Sequence, residues 1–390
     1  MKEDNLITLK GYEKQLENCL SCYCGLCNKN CPGYSELKIG SVSPRGLAEV
    51  GIGIIQDKYD ISELSDEILY FCTGCRACEF YCTENFWLSD KTRKNVLSGA
   101  TISEIFRSMK VESGNIHPKV RDVLNNIARF GNPYGGLPNI KDDWINNLEI
   151  KSDNKDIVFY VGSLIPYEDD ARTMAEAIIR VLQKAQIKFA MLGSQEMDSG
   201  ASALMMGEEG LFEEMMEHNL ELFKNNKVKQ IICVSPHDYD MFVNYYEDMD
   251  GIDVKHYTQI LWELIKNKVI KFNKKLNKKI TYHDPCYLGR KNNIFDEPRK
   301  IIESLPGVEL VEMEFSRENA YCCGGGGTGL WMDLPGEHMD LKRVDQVNEV
   351  NAEIVAVACP ACLTMLDTAR VSRGYNIEVK DIAQIVKECC

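Results

Sequence analysis

The apolar residues of this chain follow two rhythms. Up to about residue 130 they come in short helical bursts around two cysteine runs, with longer periodic stretches near 89–112 and 117–129. The segment "RFGNPYGGLPNIKDDW" then gathers Gly, Pro and Asn, which is linker chemistry. From about 156 short apolar runs alternate with amphipathic ones. "DIVFYVG" reads as a strand, "DDARTMAEAIIRVLQKA" as a helix, "IKFAML" as a strand, 206–224 as a helix and "VKQIICVS" as a strand. This alternation predicts α/β layers on a parallel sheet.

Near 279 the pattern starts over. Strand "KITYHD", helix 295–304, strand "VELVEM", helix 336–349, strand "AEIVAVA", helix 361–370 and a closing helix at 380–388 follow in turn. The two passages align as a repeat, "YVGS" with "HDPC", "DSG" with "CCG" and "SPHD" with "CPAC". Ser163 then matches Cys286, Asp198 and Ser199 match Cys322 and Cys323, and Ser235 and Asp238 match Cys359 and Cys362. Thirty-five residues separate Ser199 from Ser235 and thirty-five separate Cys323 from Cys359, a register that supports duplication. The first copy has lost every cysteine of the pattern.

Composition sharpens this picture at one point, the 17 cysteines among 390 residues. Nine fall between 19 and 82, five between 286 and 362, two at 389 and 390, and only Cys233 stands alone, inside the apolar run "IICV" where a core role is expected. The opening "MKEDNLITLKGYEKQ" has no apolar signal core, and no run approaches the roughly 18 apolar residues of a membrane span. A cytoplasmic protein is expected. There thiols stay reduced, so clustered cysteines point to metal or redox chemistry. The formal charge of −14 argues against a general nucleic-acid binder and gives no help in docking to anionic lipid.

The second run, "CTGCRACEFYC", places Cys72, Cys75, Cys78 and Cys82 at C-x2-C-x2-C-x3-C spacing. The first, "CLSCYCGLCNKNCP", holds Cys24, Cys27 and Cys31 in matching spacing. Two such runs suit a two-cluster ferredoxin, in which the fourth cysteine of a run crosses to the other cluster. Cys72, Cys75 and Cys78 with Cys31 are expected on one [4Fe-4S] cubane, and Cys24, Cys27 and Cys82 on the other. The regular spacing puts the missing ligand at Ser21, so Cys22 or Cys19 must complete the set, Cys22 needing only a one-residue tightening. Paired zinc knuckles are the alternative, but zinc does not explain two runs of x2, x2, x3 spacing.

The second repeat reads C-x35-CC-x35-C-x2-C, each cysteine falling where a strand should end. Sites in open α/β sheets form beyond the carboxyl ends of strands, so five thiols can meet there. This pattern resembles the cysteine-rich CCG domain of heterodisulfide reductase catalytic subunits, and "HDPCYLGR" is similar to that family's stretch around its first cysteine. The layout is shared with the iron–sulfur subunits of glycolate oxidase and of anaerobic glycerol-3-phosphate dehydrogenase. The resemblance implies a noncubane [4Fe-4S] cluster on Cys286, Cys322, Cys323, Cys359 and Cys362, the site of disulfide chemistry. His283, beside Asp284 and near Cys286, is a candidate proton donor there, or a strand-end histidine bonded to backbone. Heterodisulfide reductases use two such domains. Ser and Asp are poor substitutes for thiolate, so no cluster is expected in the first repeat and a two-cluster mechanism is in doubt.

The fold class expected is α+β and multidomain. A helical two-cluster ferredoxin-like domain covers 1–130 and a linker 131–155. A degenerate CCG repeat covers 156–272 and an intact CCG domain 273–390. The first repeat either lines a polar pocket with Ser163, Ser235, His237 and Tyr239 or survives because the repeats bury a shared face. "GGGGTG" imitates a dinucleotide fingerprint but lacks a helix after it, and its glycines are expected to wrap a cluster. Cys389 and Cys390 are expected to form a free tail. The function expected is an iron–sulfur subunit of an oxidoreductase complex, reducing a disulfide-type substrate with electrons from a partner such as a flavoprotein. The alternative is an electron-transfer subunit of a flavin-dependent hydroxy-acid or glycerol-3-phosphate dehydrogenase.

Overall fold

A computed structural model describes residues 9–22, 24–29, 31–84, 97–148, 150, 155–249, 251–333, 336 and 338–390. The chain divides into two compact units that are discontinuous in sequence. The first comprises Met1–Asp122, Ala203–Glu209 and Gly324–Met339; the second comprises Val123–Ser202, Gly210–Cys323 and Asp340–Cys390. No helix among the described residues is long and apolar enough to cross a membrane.

In the first unit the helices Glu13–Ser21, Pro44–Ile55 and Gly99–Glu112 pack together. Leu16, Leu47, Ala48, Ile102 and Phe106 are buried. Two serines start the longer helices. Ser43 Oγ accepts from Gly46 N and Ser98 Oγ from Thr101 N, each at 3.0 Å, satisfying N–H groups that a helix start leaves open. The periodic stretch expected from 89 becomes helical at Gly99, its part before 97 lying outside the described residues. The second cysteine run leaves the helix Asp66–Tyr70 as a loop and enters the helix Ala77–Glu84, against which Leu26–Lys29 packs.

Buried Arg107 ties this unit together. Its Nε donates to Leu69 O at 2.8 Å, Nη1 to Met205 O at 2.8 Å and Nη2 to Cys72 O at 2.5 Å. Thr328 Oγ1 donates to Tyr70 O at 3.1 Å. The glycines beside Thr328 touch the same stretch of backbone. A Cβ on Gly326 would lie 2.3 Å from Thr73 O, and one on Gly327 would lie 2.7 Å from Cys72 O. These glycines therefore serve close backbone approach to the second cysteine run.

The second unit holds two parallel sheets. In the first repeat β1 (Ile157–Tyr160), β2 (Gln230–Cys233) and β3 (Asp253–His256) are ordered β1-β2-β3. In the second, β4 (Lys279–Tyr282), β5 (Glu309–Leu310), β6 (Ile354–Val357) and β7 (Glu378–Asp381) are ordered β5-β4-β6-β7. The run "IKFAML" yields only a bridge of Ala190 to Val158, and "VELVEM" only the two residues of β5. Both lie at a sheet edge, where one partner strand alone supplies pairing. The apolar pattern predicts neither β3 nor β7, because "DVKH" and "EVKD" carry charges that an edge strand tolerates and a buried one does not. Each runs straight into a capping box, His256 with Gln259 and Asp381 with Gln384.

The repeats do share a face. The helix Asp169–Lys184 of the first packs on Pro360–Arg373 and Ile382–Cys389 of the second, and Tyr257–Lys266 packs on Asp296–Ser304. Tyr257 Oη donates to Asp381 Oδ2 at 2.5 Å across this face. Cys389 is buried, and its carbonyl accepts from Asn273 N at 2.8 Å and Lys274 N at 3.2 Å, so the last helix is docked and not a free tail. Replacing Gly326 by Ala is expected to destabilise the first unit by about 1–3 kcal/mol, the usual cost of forcing atoms into a packed contact. Gly11→Ala, which meets nothing within 4 Å, stays within about 0.5 kcal/mol. Denaturant unfolding of both variants checks this.

Candidate metal centres

The N-terminal thiols fall into two groups by mutual electrostatics. Cys31 is within reach of Cys72 and Cys75, and Cys78 of Cys31, Cys72 and Cys75. Cys27 interacts with Cys82, Cys24, Cys19 and Cys22, and Cys82 with Cys19, Cys22 and Cys24. Cys82 thus sits with the first run and Cys31 with the second. Cys19 and Cys22 both belong to the group around Cys82; Cys22 Sγ lies 3.2 Å from Cys24 Sγ, and Cys19 Sγ donates to Leu97 O at 3.5 Å. Burial, then the neighbouring sulfurs, pushes Cys27 up to about 12 and Cys82 up to about 11. A metal binding such thiols would release their protons.

In the second repeat the cysteines sit beyond the strand ends. Cys286 follows β4, Cys322 and Cys323 precede the glycine loop, and Cys359 is the N-cap of Pro360–Arg373 with Cys362 in its first turn. Proline at the helix start presets this turn, and the helix N-terminus favours thiolates. Cys323 Sγ lies 3.3 Å from Cys362 Sγ. The ligand atoms of His283, Cys323 and Cys362 lie within 4.8 Å of one another, all buried. Hydrogen bonds from Cys322 and Cys362 draw Cys323 well below its usual value. Burial opposes ionisation of Cys359, yet hydrogen bonds from Cys362 and His237 bring it down to about 5. Four of the five thiols therefore form one network, while Cys286 is half-buried and outside the tight group.

A buried cation faces this network. Arg343 Nε donates to His283 Nδ1 at 3.0 Å, and Nη1 donates to Phe315 O at 2.8 Å and Gln346 Oε1 at 2.6 Å. Its Nη2 is buried without a partner. Burial lowers Arg343 to about 10, so it stays charged at neutral pH. The carboxylate whose charge bears on it, Asp284, is already held by Arg299 at 2.6 and 2.8 Å and by Arg317 N at 2.8 Å. The charges of Cys323 and Cys362 also bear on Arg343. An orphaned guanidinium N–H beside clustered soft sulfurs fits an anionic iron–sulfur group. Since arginine only donates, His283 Nδ1 must accept, which puts its proton on Nε2.

The first repeat solves the same positions with oxygen. Ser199 Oγ donates to Asp238 Oδ1 at 2.6 Å, the counterpart of the Cys323–Cys362 contact. Asp198 Oδ1 accepts from Gly200 N at 2.7 Å. Buried Glu196 accepts from Val161 N at 3.0 Å and Gly162 N at 2.8 Å, with Lys141 Nζ 3.7 Å away. Burial raises Glu196 and Asp238 each to about 7. This hard-oxygen lining does not fit an iron–sulfur cluster. Of the polar lining expected there, Ser235 caps its helix through His237 N at 3.2 Å, and Tyr239 packs edge-on against His256. Of them, His237 comes nearest the second repeat's cysteines, its ring centroid 4.0 Å from that of Tyr287, the residue after Cys286. Cys233 is fully buried in β2. Arg343 had no sequence signal, being one arginine among polar residues of "LKRVDQ".

Residues 157–239 and 280–367 match the Cysteine-rich domain family, CCG, and residues 15–86 match the 4Fe-4S dicluster domain family. Probable iron-sulfur-binding oxidoreductase FadF of Bacillus subtilis is 33% identical over 341 residues, 83% of this chain and 47% of that protein. EtfAB:quinone oxidoreductase of Syntrophomonas wolfei is 28% identical over 424 residues, 95% of this chain and 58% of that protein. The chain spans about half the length of these two relatives. One subunit of the dihydromethanophenazine:CoB--CoM heterodisulfide reductase of Methanosarcina barkeri is 31% identical over 339 residues, 84% of this chain and 79% of its own length. A dicluster module joined to two CCG repeats defines an iron–sulfur protein of the oxidoreductase class. The chain belongs to the heterodisulfide reductase family of CCG-domain iron–sulfur proteins.

Glu196 gives a pH signature. An unfolded glutamate ionises near 4.5, whereas the native one keeps its proton to about 7. The native state binds more protons across that window, so stability falls as pH rises through it and levels off above. The total is at most about 3 kcal/mol. Unfolding free energies measured from pH 4.5 to 7.5 are expected to slope less steeply in Glu196→Gln by Glu196's share, while Asp238, also raised to about 7, keeps its own.

Proposed function

We propose that this chain is the electron-carrying iron–sulfur subunit of a cytoplasmic oxidoreductase complex, exchanging electrons with a flavoprotein or similar partner. In this reading Cys31, Cys72, Cys75 and Cys78 hold one cubane [4Fe-4S] cluster. Cys24, Cys27 and Cys82 hold another with Cys22 or Cys19. Cys286, Cys322, Cys323, Cys359 and Cys362 hold a noncubane [4Fe-4S] cluster. Such clusters, when bound, supply one-electron storage at potentials set by their surroundings. The chain's own residues supply the thiolates, exclude water and compensate charge. Arg343 offsets buried negative charge and holds the His283 ring beside Cys323 and Cys362.

The observation that carries this reading is the contrast between the repeats: a sulfur network beside an orphaned cation in one, and the Ser199–Asp238 oxygen pair in the other. One soft site suits relay. The disulfide-type reaction is the second reading, favoured by the buried thiol pair Cys323 and Cys362 and by a relative named for heterodisulfide reduction.

Anoxic purification is expected to yield about twelve iron atoms per chain, three four-iron clusters. Cys362→Ser is expected to leave about eight, and a wild-type content of about eight sinks the C-terminal assignment. Dye-reduced protein is expected to be reoxidised rapidly by a flavoprotein or quinone. Reoxidation by a disulfide at a comparable rate would instead establish the second reading.

A further inference from the structure

We infer that Arg343 decides which metals the C-terminal cysteine site admits. By donating to His283 Nδ1 it withholds that imidazole from any metal, and so keeps a buried histidine and two cysteines from closing on a single zinc ion. This role rests on the side chains alone and not on the kind of cluster proposed for the site.

The ligand atoms of His283, Cys323 and Cys362 lie within 4.8 Å of one another, all buried. Two thiolates and an imidazole are three parts of a zinc site, and zinc generally outbinds iron(II) on such ligands. Cys359, which caps the helix carrying Cys362, is a ready fourth. Ligation needs a lone pair on the imidazole. Nδ1 gives its own to the Arg343 Nε–H at 3.0 Å, and Nε2 then carries the proton of the neutral ring. To ligate through Nε2 the ring must move that proton to Nδ1, where it meets the Arg343 N–H head-on. Arg343 cannot yield. It has no lone pair to offer, and its Nη1 is fixed to Phe315 O at 2.8 Å and Gln346 Oε1 at 2.6 Å. Both side chains are almost fully buried, which leaves bulk water no part in the contact.

The first repeat lacks both halves of this device. In the register of "YVGS" with "HDPC", Tyr160 stands where His283 does. Arg343 lies twenty residues after Cys323, and the residue twenty after Ser199 is Asn219. Tyr160 Oη donates to Met197 O at 2.5 Å, and Asn219 Nδ2 donates to Asp198 O at 3.0 Å. Both are buried like their counterparts, so the fold accepts a neutral pair at these positions. The thiols, the imidazole and the arginine occur together in one repeat and are missing together from the other. A restraint and the ligand it restrains should be distributed in this way.

The test is zinc binding by the full chain, freed of iron under anoxia and titrated against a competing chelator, with X-ray absorption at the zinc edge. The N-terminal runs also take zinc, but no histidine lies between residues 19 and 82, so their zinc is expected to show sulfur alone. Wild type is expected to show no imidazole on zinc. Arg343→Gln brings a carbonyl oxygen that accepts from an Nδ1–H. It is expected to bind one zinc equivalent about tenfold tighter, the cost of two buried donors meeting unpaired, with one imidazole on the metal. Adding His283→Phe is expected to remove both gains. Arg343→Lys, which only donates, is expected to behave as wild type. Imidazole on zinc in the wild type overturns the inference, as does an Arg343→Gln chain that folds and gains no imidazole. Where Arg343→Gln does not fold, His283→Phe alone decides: an unchanged zinc affinity supports the inference, and a loss of about tenfold overturns it. The two readings fail separately, since iron content decides the cluster and zinc ligation decides the role of Arg343.

Discussion

A guanidinium buried without a carboxylate of its own constrains the whole C-terminal site. Removing an ion from water costs several kcal/mol even after relaxation, and an unpaired one is strongly destabilising. Arg343 meets that cost only partly with two acceptors on Nη1 and one on Nε. Its remaining N–H and its charge call for negative charge nearby, and the uncommitted supply that bears on it is sulfur. The thiols have the opposite need. Buried together, they resist ionisation unless a cation and hydrogen-bond donors attend them. Each half of the arrangement makes sense only in the presence of the other.

The other repeat shows what the fold does without that constraint. Its strands, helices and capping box follow the same plan, but the positions of the soft ligands carry Ser and Asp, of which Ser199 and Asp238 bond to each other and Asp198 accepts from the Gly200 backbone. Carboxyls there are pushed up by burial and hold protons near neutrality, which eases the cost of burying them. What this half contributes is a packed face and a Tyr257–Asp381 hydrogen bond.

The cysteine spacings and the period of the repeat were legible because both are one-dimensional. The x2, x2, x3 spacing can be read off one run at a time, and the 35-residue register survives loss of the ligands themselves. The edge strands β3 and β7 were hidden by their charges. Arg343 was hidden because its meaning lies in a contact with His283, 60 residues away in sequence. The glycines after Cys323 were visible, but the reason for them was not. Their need for space comes from the backbone at Cys72 and Thr73, which no local pattern announces.

That last contact bears on how the protein is made. Ribosomes release the chain from its N-terminus, and domains commonly fold as they emerge. Here the unit built around the first two cysteine runs also contains 203–209 and 324–339. Arg107 cannot find the Met205 carbonyl, nor Tyr70 its bond from Thr328, until those segments have left the ribosome. The ferredoxin-like portion must therefore wait, unfinished and with reactive thiols exposed, through synthesis of more than two hundred further residues. Nascent chains of this kind place a demand on the cell that shorter ferredoxins do not: oxygen and stray metals must be kept from the early cysteines until the late glycines arrive.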